Sequence, residues 1–328
     1  MTDTEESTME LTMTTEDDTI IGEQLQFSMN ITNNTVWIQN GSTVAGGNGR
    51  GSQLNRLSSP LGITINDKTQ VIYIADSGND RIVKWEYGAK SGQVIVGGNQ
   101  LNELNFPVDL LLDQKNNSLI ICDQGNRRVV RVSLRNPAYQ QIIISNIHCY
   151  GLAMDNSESL YVCDCEKHEI KKWIKGEIDG TVVAGGNGIG DENDQLNFPI
   201  YIFIDEDYSL YISNSNNSHI LKWLKGAKRG MLIAGRQGQG DYHTQFLYPR
   251  KVILDRMGNL YIADSGNHRI MRWLKDKKSG TIVVGGNGNG QQLNQLYSPV
   301  SITFDQQGNL YVADSANHRV QKFNIGVN

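Results

Sequence analysis

The stretch that decides the fold is LYVADSANHRVQK at residues 310–322, because a closely similar stretch, LYIADSGNHRIMR, occupies residues 260–272. Four earlier copies begin at Val71 (VIYIADSGNDRIVK), Leu119 (LIICDQGNRRVVR), Leu160 (LYVCDCEKHEIKK) and Leu210 (LYISNSNNSHILK). Self-similarity at a period of 20 to about 50 residues is typical of solenoids and propellers. The six copies therefore indicate one repeated structural unit.

Proline marks the same register along the chain. Five of the six prolines each precede the aspartate or asparagine of a copy by 15 or 16 residues, and Cys149 takes that place in the third copy. A proline at a strand entrance removes no ladder hydrogen bond. The pattern within a repeat predicts an apolar strand after the proline, a second strand before the Ser-Gly-Asn turn, a third strand after it, and a fourth such as TIVVGG at 281–286. Four short strands per repeat predict one propeller blade.

The fold class predicted is all-β, a six-bladed β-propeller of four-stranded blades. The last copy stops after its third strand while an orphan STVAGG lies at 42–47, so we expect this N-terminal strand to join the last blade and close the ring. We predict a disordered acidic tail at 1–20, an extension or hairpin at 21–41 and a single propeller at 42–328. The blades predicted are 57–98, 99–145, 146–186, 187–235, 236–286, and 287–328 together with 42–47.

The pattern PxxIxxDxxGNLYIADSxNHRIxKW resembles the NHL repeat, most closely in copies one, five and six. The resemblance covers about residues 42–328 and implies a six-bladed propeller used as a recognition module. In relatives such propellers are joined to RING-type ubiquitin-ligase modules, to receptor kinases or to peptide-amidating lyase activity. Some relatives bind single-stranded RNA on one face.

Charge and hydropathy argue against several classes of protein. Residues 1–20 carry seven acidic side chains and no Lys or Arg, which leaves the rest of the chain near neutral and disfavours nucleic acid as the main ligand. No apolar run approaches a membrane span and no signal peptide is evident. We therefore expect no membrane insertion, a monomeric propeller and a cytoplasmic chain.

The four cysteines, Cys122, Cys149, Cys163 and Cys165, show no CxxC pair and no RING-like spacing. We expect no zinc site, no disulfide framework and no cofactor. Cys122 and Cys163 fall in a column of small residues and are predicted to lie in the core.

Three recurrent patterns are interpreted as structure. An Asp…Arg pair flanks the turn in four copies, and because a catalytic pair would not recur in blade after blade, we interpret it as a hairpin brace. The GGNG loops lack the helix that a dinucleotide site needs, so their glycines are predicted to supply positive φ between blades. The repeated Trp and Tyr columns are predicted to pack between blades.

The candidate binding surface is the face that carries the GGNG loops and the Ser-Gly-Asn-His turns. Its variable positions are the turn tips and the second residue after each proline, which we expect to line the axial mouth. That axial ring offers a single carboxylate, Asp109, and no histidine, which argues against a metal-dependent lyase or hydrolase. We predict no catalytic and no metal-binding residue. The candidate binding residues are Asp80, Asp109, Arg127, Arg128, His168, Tyr201, Arg250, Lys251, His268 and His318.

The function predicted is a non-catalytic interaction module that binds a protein or peptide partner, with Tyr201 as an anchor. Three alternatives stay open: single-stranded RNA binding through Arg127, Arg128, Arg250 and Lys251; a ubiquitin-ligase-associated substrate-recognition subunit without its own catalytic module; and a metal-dependent lyase or hydrolase. The linkers before copies two and three are short and lie near a basic run at 127–135. Our hypothesis is that this side of the face is lower and more open.

Overall fold

The structure is a computed structural model that describes residues 31–98, 104–235 and 238–326. The tail expected at 1–20, and the part of the expected extension before residue 31, lie outside these residues. Within the described ranges, 24 strands form six four-stranded antiparallel sheets. No helix there is long and apolar enough to cross a membrane.

Each sheet is one blade. Strand β1 (Ser42–Gly46) comes first in the chain and belongs to the last blade. Blade 1 comprises β2 Pro60–Asn66, β3 Val71–Asp76, β4 Arg81–Glu86 and β5 Gln93–Gly97. Blade 2 comprises β6 Pro107–Asp113, β7 Ser118–Asp123, β8 Arg128–Ser133 and β9 Gln140–Ser145. Blade 3 comprises β10 Cys149–Met154, β11 Leu160–Asp164, β12 Glu169–Trp173 and β13 Thr181–Gly185. Blade 4 comprises β14 Pro199–Ile204, β15 Leu210–Asn214, β16 His219–Trp223 and β17 Met231–Ala234. Blade 5 comprises β18 Pro249–Leu254, β19 Leu260–Asp264, β20 Arg269–Trp273 and β21 Thr281–Gly285. Blade 6 comprises β22 Pro299–Phe304, β23 Leu310–Asp314, β24 Arg319–Phe323 and β1.

The first strands of the blades surround the axis of a ring. Each contacts the first strand of the next blade, and β22 of blade 6 contacts β2 of blade 1. These strands are buried along most of their length, as their apolar sequences predict. The six-bladed propeller predicted from the repeat spacing is confirmed.

Ring closure also follows the prediction. β1 pairs antiparallel with β24, with Ser42 opposite Lys322 and Gly46 opposite Arg319. Ala45 is 2% exposed and packs in the cluster between blades 6 and 1. The N-terminal strand therefore completes the last blade and joins the two ends of the described chain.

The segment just before β1 takes a position that the sequence did not indicate. Of the two alternatives left open for this region, an extension or a hairpin, residues 35–39 form no hairpin with β1 and pair with residues 324–326. Trp37 is bridged to Ile325, the Ile38 amide donates to the Asn324 carbonyl at 2.9 Å, and the Gly326 amide donates to the Val36 carbonyl at 2.8 Å. This pairing fixes Trp37 beneath blades 5 and 6.

The repeated aromatic columns pack between blades, as predicted. The Tyr at the third position before each aspartate or asparagine is at most 7% exposed in five blades. The Trp column is equally buried, and its indole N–H groups donate to the turn between the third and fourth strands, as from Trp85 to the Ala89 carbonyl at 3.0 Å. Buried indoles need such a partner for the N–H group.

The cysteines correct one expectation. Cys122 on β7 and Cys149 at the start of β10 form a disulfide between blades 2 and 3, with Cα atoms 5.8 Å apart, so the expectation of no disulfide is wrong. The reason lies in the repeat geometry: a side chain in the small-residue column reaches the first strand of the next blade, as when Ser213 donates to the Arg250 carbonyl.

We expect reduction of this disulfide to lower the free energy of unfolding by about 2–4 kcal/mol, the usual range for a native crosslink. Urea unfolding with and without dithiothreitol measures the change. The control is the Cys122→Ala, Cys149→Ala double variant, whose stability should match that of the reduced protein and should not respond to dithiothreitol. Equal stability of the oxidised and reduced wild type would contradict the expectation.

Candidate functional site: the loop face

The two sides of the ring carry different connections. We call the side with the inter-blade segments and the turns between second and third strands the loop face, and the opposite side the turn face. On the loop face, five of the six blades form a short 3₁₀ turn followed by a left-handed tip residue. The tip of blade 3, His168, has the same left-handed conformation, with φ of 55°.

The Asp…Arg pairs brace the loop face. Asp76 accepts hydrogen bonds from the Ser58 amide at 2.6 Å and from Arg81 Nε at 2.8 Å. Arg81 in turn donates to the Ser52 carbonyl of the preceding inter-blade segment at 2.7 Å. Blades 5 and 6 repeat this arrangement through Arg269 and Arg319. These residues hold the loops in place, which confirms the structural interpretation of the pattern.

The glycines of the GGNG segments supply left-handed backbone, as predicted. Gly185 and Gly186 have φ of +68° and +78°, and a Cβ on Gly185 would clash with the His168 carbonyl. The segment then turns back so that Leu196 is fully buried below it. The other long segments repeat this geometry with Leu57, Phe246 and Leu296.

Four of the predicted binding residues at turn tips form a hydrogen bond to the next blade. Asp80 accepts a hydrogen bond from the Phe106 amide at 2.7 Å. The Nδ1 atoms of His168, His268 and His318 accept from the amides of Phe198, Ser298 and Ser59 at 3.1, 3.2 and 3.0 Å. An accepting Nδ1 must be unprotonated. These tips are partly exposed, and a ligand on this face can still reach them.

We expect His318 and His219 to lower the free energy of unfolding as the pH is lowered from about 7.5 to 5. Burial lowers the pKa of His318 and of His219 below the ordinary value of about 6.5. The unfolded chain then binds protons more readily than the folded chain. The contribution of these two histidines to the free energy of unfolding is complete above their unfolded-state pKa. It is lost as the pH falls through their lower folded-state pKa values. Urea unfolding at a series of pH values measures it.

The matched control for this pH dependence is His318→Asp. It places in blade 6 the acceptor that Asp80 supplies in blade 1, and this acceptor does not become cationic. The variant should show a smaller loss of stability between pH 7.5 and 5 than the wild type. An identical pH profile in both proteins would contradict the role assigned to His318.

The axial ring is closed by its own side chains. Asp109 and Lys251 form a buried ion pair across the axis, with Lys251 Nζ 3.2 Å from the Asp109 carboxylate, and Asp109 also accepts from the Leu152 amide at 3.0 Å. Tyr201 is fully buried, with Lys251 Nζ 5.1 Å from its ring centroid. The expectation that these three residues line an accessible mouth is therefore not met, and we remove Tyr201 from the set of candidate anchors.

On the loop-face side of Asp109, Lys251 and Tyr201, a second layer of side chains covers the axis. Arg250 of blade 5 donates to the hydroxyl of Tyr150 of blade 3 at 2.8 Å. Tyr150 is 8% exposed and packs edge-on against Tyr201 and Phe198 at 5.7 and 6.2 Å between ring centroids. Arg250 stays partly exposed at the centre of the loop face, where a ligand can contact it.

The inter-blade segments differ in length around the ring. They span 47–59, 186–198, 235–248 and 286–298 before blades 1, 4, 5 and 6, but only 98–106 and 146–148 before blades 2 and 3. Arg127 at the tip of blade 2 therefore pairs with Glu166 of blade 3, and both side chains are about half exposed. Arg128 pairs with Asp123 at 2.6 Å. That this side of the face is lower and more open remains our hypothesis.

Blade 3 has a short preceding segment and also lacks the arginine of the brace. Glu169 replaces the arginine opposite Asp164, and burial together with the Asp164 charge raises the pKa of Glu169. Burial raises the pKa of the Cys165 thiol to about 12, so this thiol is protonated at neutral pH. The Cys165 Sγ atom lies 3.0 Å from Nδ1 of His148.

Sequence reasoning missed an aromatic arc on the loop face. Three side chains, Phe106, Tyr248 and Tyr297, are 40–46% exposed at the starts of blades 2, 5 and 6, and the less exposed Tyr150 and Phe198 stand at the starts of blades 3 and 4. Phe106, Phe198 and Tyr248 each precede the proline of a blade and adopt φ near +50°, which is uncommon for residues other than glycine. The proline column already marks their positions, and reading one residue upstream of it would have shown the aromatic residues.

Among the residues that the structure describes, no group of three or more His, Cys, Asp or Glu side chains is arranged to hold an ion.

The fold is a six-bladed β-propeller whose loop face is braced by the Asp…Arg pairs. The family model of the NHL repeat matches residues 246–272 and 296–323, in blades 5 and 6. The two matched segments are therefore NHL repeats. No curated protein gives a significant sequence match.

Solved structures with the same fold include binding proteins and enzymes. An auxiliary nutrient binding protein from Bacteroides thetaiotaomicron has a TM-score of 0.68 at 15% identity, covering 87% of this chain and 76% of that one. A gluconolactonase from Xanthomonas campestris has a TM-score of 0.63 at 13% identity, covering 83% and 88%. A virginiamycin B lyase from Staphylococcus aureus, in a catalytically inactive form, has a TM-score of 0.54 at 13% identity, covering 82% and 96%. At these identities the likeness concerns the fold alone.

Proposed function

We propose that the chain is a non-catalytic binding module whose loop face takes a protein or peptide ligand. The observation that carries the proposal is the exposed aromatic arc of Phe106, Tyr248 and Tyr297. Exposed apolar side chains grouped on one face mark interaction sites, and aromatic residues with arginine supply most hot spots in protein interfaces.

The polar groups beside the arc support a peptide ligand. Arg250 lies at the centre of the face and Arg127 at its low rim, where each can donate to a backbone carbonyl or an acidic side chain. The hydrogen-bonded turn tips hold the surrounding loops, so the surface is organised before a ligand arrives. Such preorganisation reduces the entropic cost of binding.

The enzymatic alternatives receive less support from this geometry. The ionisable groups of the axial ring, Asp109 and Lys251, neutralise each other in a buried pair. Of the four cysteines, two form the disulfide, and burial raises the thiol pKa of Cys163 and Cys165. A ubiquitin-ligase activity would therefore require a separate catalytic module.

A selection from a library of displayed random peptides tests the proposal. The loop-face variant is Phe106→Ser, Tyr248→Ser, Tyr297→Ser, because serine occupies the equivalent positions Ser58, Ser59 and Ser298 in other blades. The control is Tyr139→Ser, Ile174→Ser, Ile178→Ser, which removes exposed apolar side chains from the turn face. We expect peptides selected on the wild type to bind the control and to lose at least tenfold in affinity for the loop-face variant. Equal binding to both variants would overturn the proposal.

Single-stranded RNA is the second candidate ligand, because aromatic rings beside Arg127 and Arg250 can also stack on bases. A titration with a random RNA pool at about 50 and 200 mM salt separates the two candidates. Tight binding that weakens steeply with salt would favour RNA. We expect no binding at the lower salt concentration, since the part of the chain after residue 20 is nearly neutral.

A further inference from the structure

The turn face carries a crevice between each pair of adjacent blades. One wall of each crevice is the second strand of a blade, at the position that a Tyr occupies in five of the six blades. The other wall is the end of the first strand of the next blade, and we name each crevice by its two blades. The 5/6 crevice, for example, has Tyr261 on one side and Phe304 on the other, with ring centroids 4.9 Å apart.

The chain fills the 5/6 crevice with its own N-terminal segment. Trp37 is 4% exposed, packs on Tyr261 and Phe304 at 5.8 and 5.9 Å, and donates from its indole to the Gly308 carbonyl at 2.9 Å. The Thr35 carbonyl accepts from Arg272 at 2.8 Å. An extended strand with one indole is therefore a ligand that this type of crevice already binds.

Three more crevices are filled by side chains of the blades themselves. Tyr87 stacks on Tyr311 at 5.9 Å in the 6/1 crevice. Leu134 packs in the cluster that contains Tyr73 in the 1/2 crevice. Tyr208 packs in the cluster that contains Tyr161 in the 3/4 crevice, with Lys225 Nζ 4.3 Å from its ring centroid.

The 4/5 crevice is a cavity of about 630 Å³. Its walls correspond to the residues that hold the N-terminal segment in the 5/6 crevice. Each wall residue stands fifty positions before its counterpart. The correspondence is Tyr211 to Tyr261, Lys222 to Arg272, Ile233 to Val283, Leu254 to Phe304 and Gly258 to Gly308. Because glycine stands at 258 where Tyr208 fills the 3/4 crevice, this site is left open.

We propose that the 4/5 crevice is a second binding site, which takes an extended peptide segment of a partner protein that carries a tryptophan side chain. The indole lies between Tyr211 and Leu254 and donates its N–H to the Gly258 carbonyl, as Trp37 donates to Gly308. Lys222, whose Nζ lies 3.5 Å from an Asp205 oxygen and 4.9 Å from the Tyr211 ring centroid, takes the repeat position of Arg272 and supplies a donor for a peptide carbonyl. This site is on the opposite side of the ring from the loop face, so it is independent of the function proposed there.

The 2/3 crevice is less suited to this ligand. Its cavity is smaller, about 340 Å³, and it has Ile120 in place of the tyrosine. Glu158 lies across it in ion pairs with Lys115 and Lys175. Entry of an apolar ring there would have to break charged contacts.

The test uses a synthetic peptide with the sequence of residues 31–40, ITNNTVWIQN, titrated into the full chain and followed calorimetrically. The crevice variant is Gly258→Tyr, since Tyr208 adopts the same left-handed conformation with φ of 61° and the new Cβ would meet only Lys275. The strain control is Gly188→Tyr, at φ of +85° in open space on the loop face. Met257→Glu at the exposed rim is a second crevice variant that does not alter a glycine.

We expect the peptide to bind the wild type and Gly188→Tyr, and to lose at least tenfold in affinity for Gly258→Tyr and for Met257→Glu. The same peptide with alanine in place of its tryptophan should not bind. Equal affinity for the crevice variants and the wild type, or absence of binding to the wild type, would overturn the proposal. Binding that appears only after deletion of residues 1–30 would also overturn it, since the chain's own N-terminus would then be the occupant.

Discussion

A chain that lacks residues 1–47 should lose most of its stability, because the last blade then has three strands and an open edge. β1 supplies the full antiparallel pairing with β24 and buries Ala45 between blades 6 and 1. The same deletion removes Trp37, and the loss of one large buried aromatic side chain alone costs about 3–5 kcal/mol. Domains of this kind are stable by about 5–15 kcal/mol in total. Thermal unfolding followed by circular dichroism measures the result.

Two shorter deletions serve as controls for this prediction. Deletion of residues 1–20, which are acidic and poor in apolar residues, should leave the melting temperature nearly unchanged. Deletion of residues 1–41 removes Trp37 and keeps β1, so its stability should lie between the other two. A melting temperature for the 1–47 deletion equal to that of the wild type would contradict ring closure by β1.

Replacement of Asp109 by alanine should lower the free energy of unfolding by about 3–5 kcal/mol, as expected when one partner of a buried ion pair is removed. Lys251 would keep its charge in a site where it is 7% exposed, and the Leu152 amide would lose its acceptor. Burial raises the pKa of Asp109, and the nearby Lys251 ammonium opposes this effect. The pair therefore holds the centre of the ring together while both partners are present.

The double variant Asp109→Leu, Lys251→Met separates the charge effect from packing. Replacement of a whole buried pair by apolar residues of similar volume is often neutral or stabilising, so this variant should be closer to the wild type than Asp109→Ala. Chemical denaturation in urea gives both values. A cost below about 1 kcal/mol for Asp109→Ala would show that the carboxylate is not buried against the lysine as described.

The repeat register was sufficient to predict the ring, the blades and most of their internal chemistry. The Asp…Arg pairs, the left-handed glycines and the buried Tyr and Trp columns recur, so a single copy defines the environment of all the others. Strand pairing inside a blade is local, with short turns, and such contacts are readable from one sequence. The closing strand followed from the same register, since STVAGG had no other repeat to join.

What the sequence could not show depends on contacts between distant blades. Tyr201 and Asp109 read as variable mouth residues, and only their positions across the axis reveal that they close it. Cys122 and Cys149 belong to different blades, and their approach follows from the packing of a second strand against the next first strand. Trp37 lies outside the repeat altogether, so its crevice between blades 5 and 6 had no register from which to be predicted.

The most direct test of the binding-module account is calorimetric titration of one peptide selected on the wild-type chain against three proteins. These are the wild type, the Phe106→Ser, Tyr248→Ser, Tyr297→Ser variant, and the Gly258→Tyr variant. The account predicts that the loop-face variant loses at least tenfold in affinity while Gly258→Tyr binds as tightly as the wild type. Unchanged affinity of the loop-face variant would contradict the claim that the loop face is the principal recognition surface.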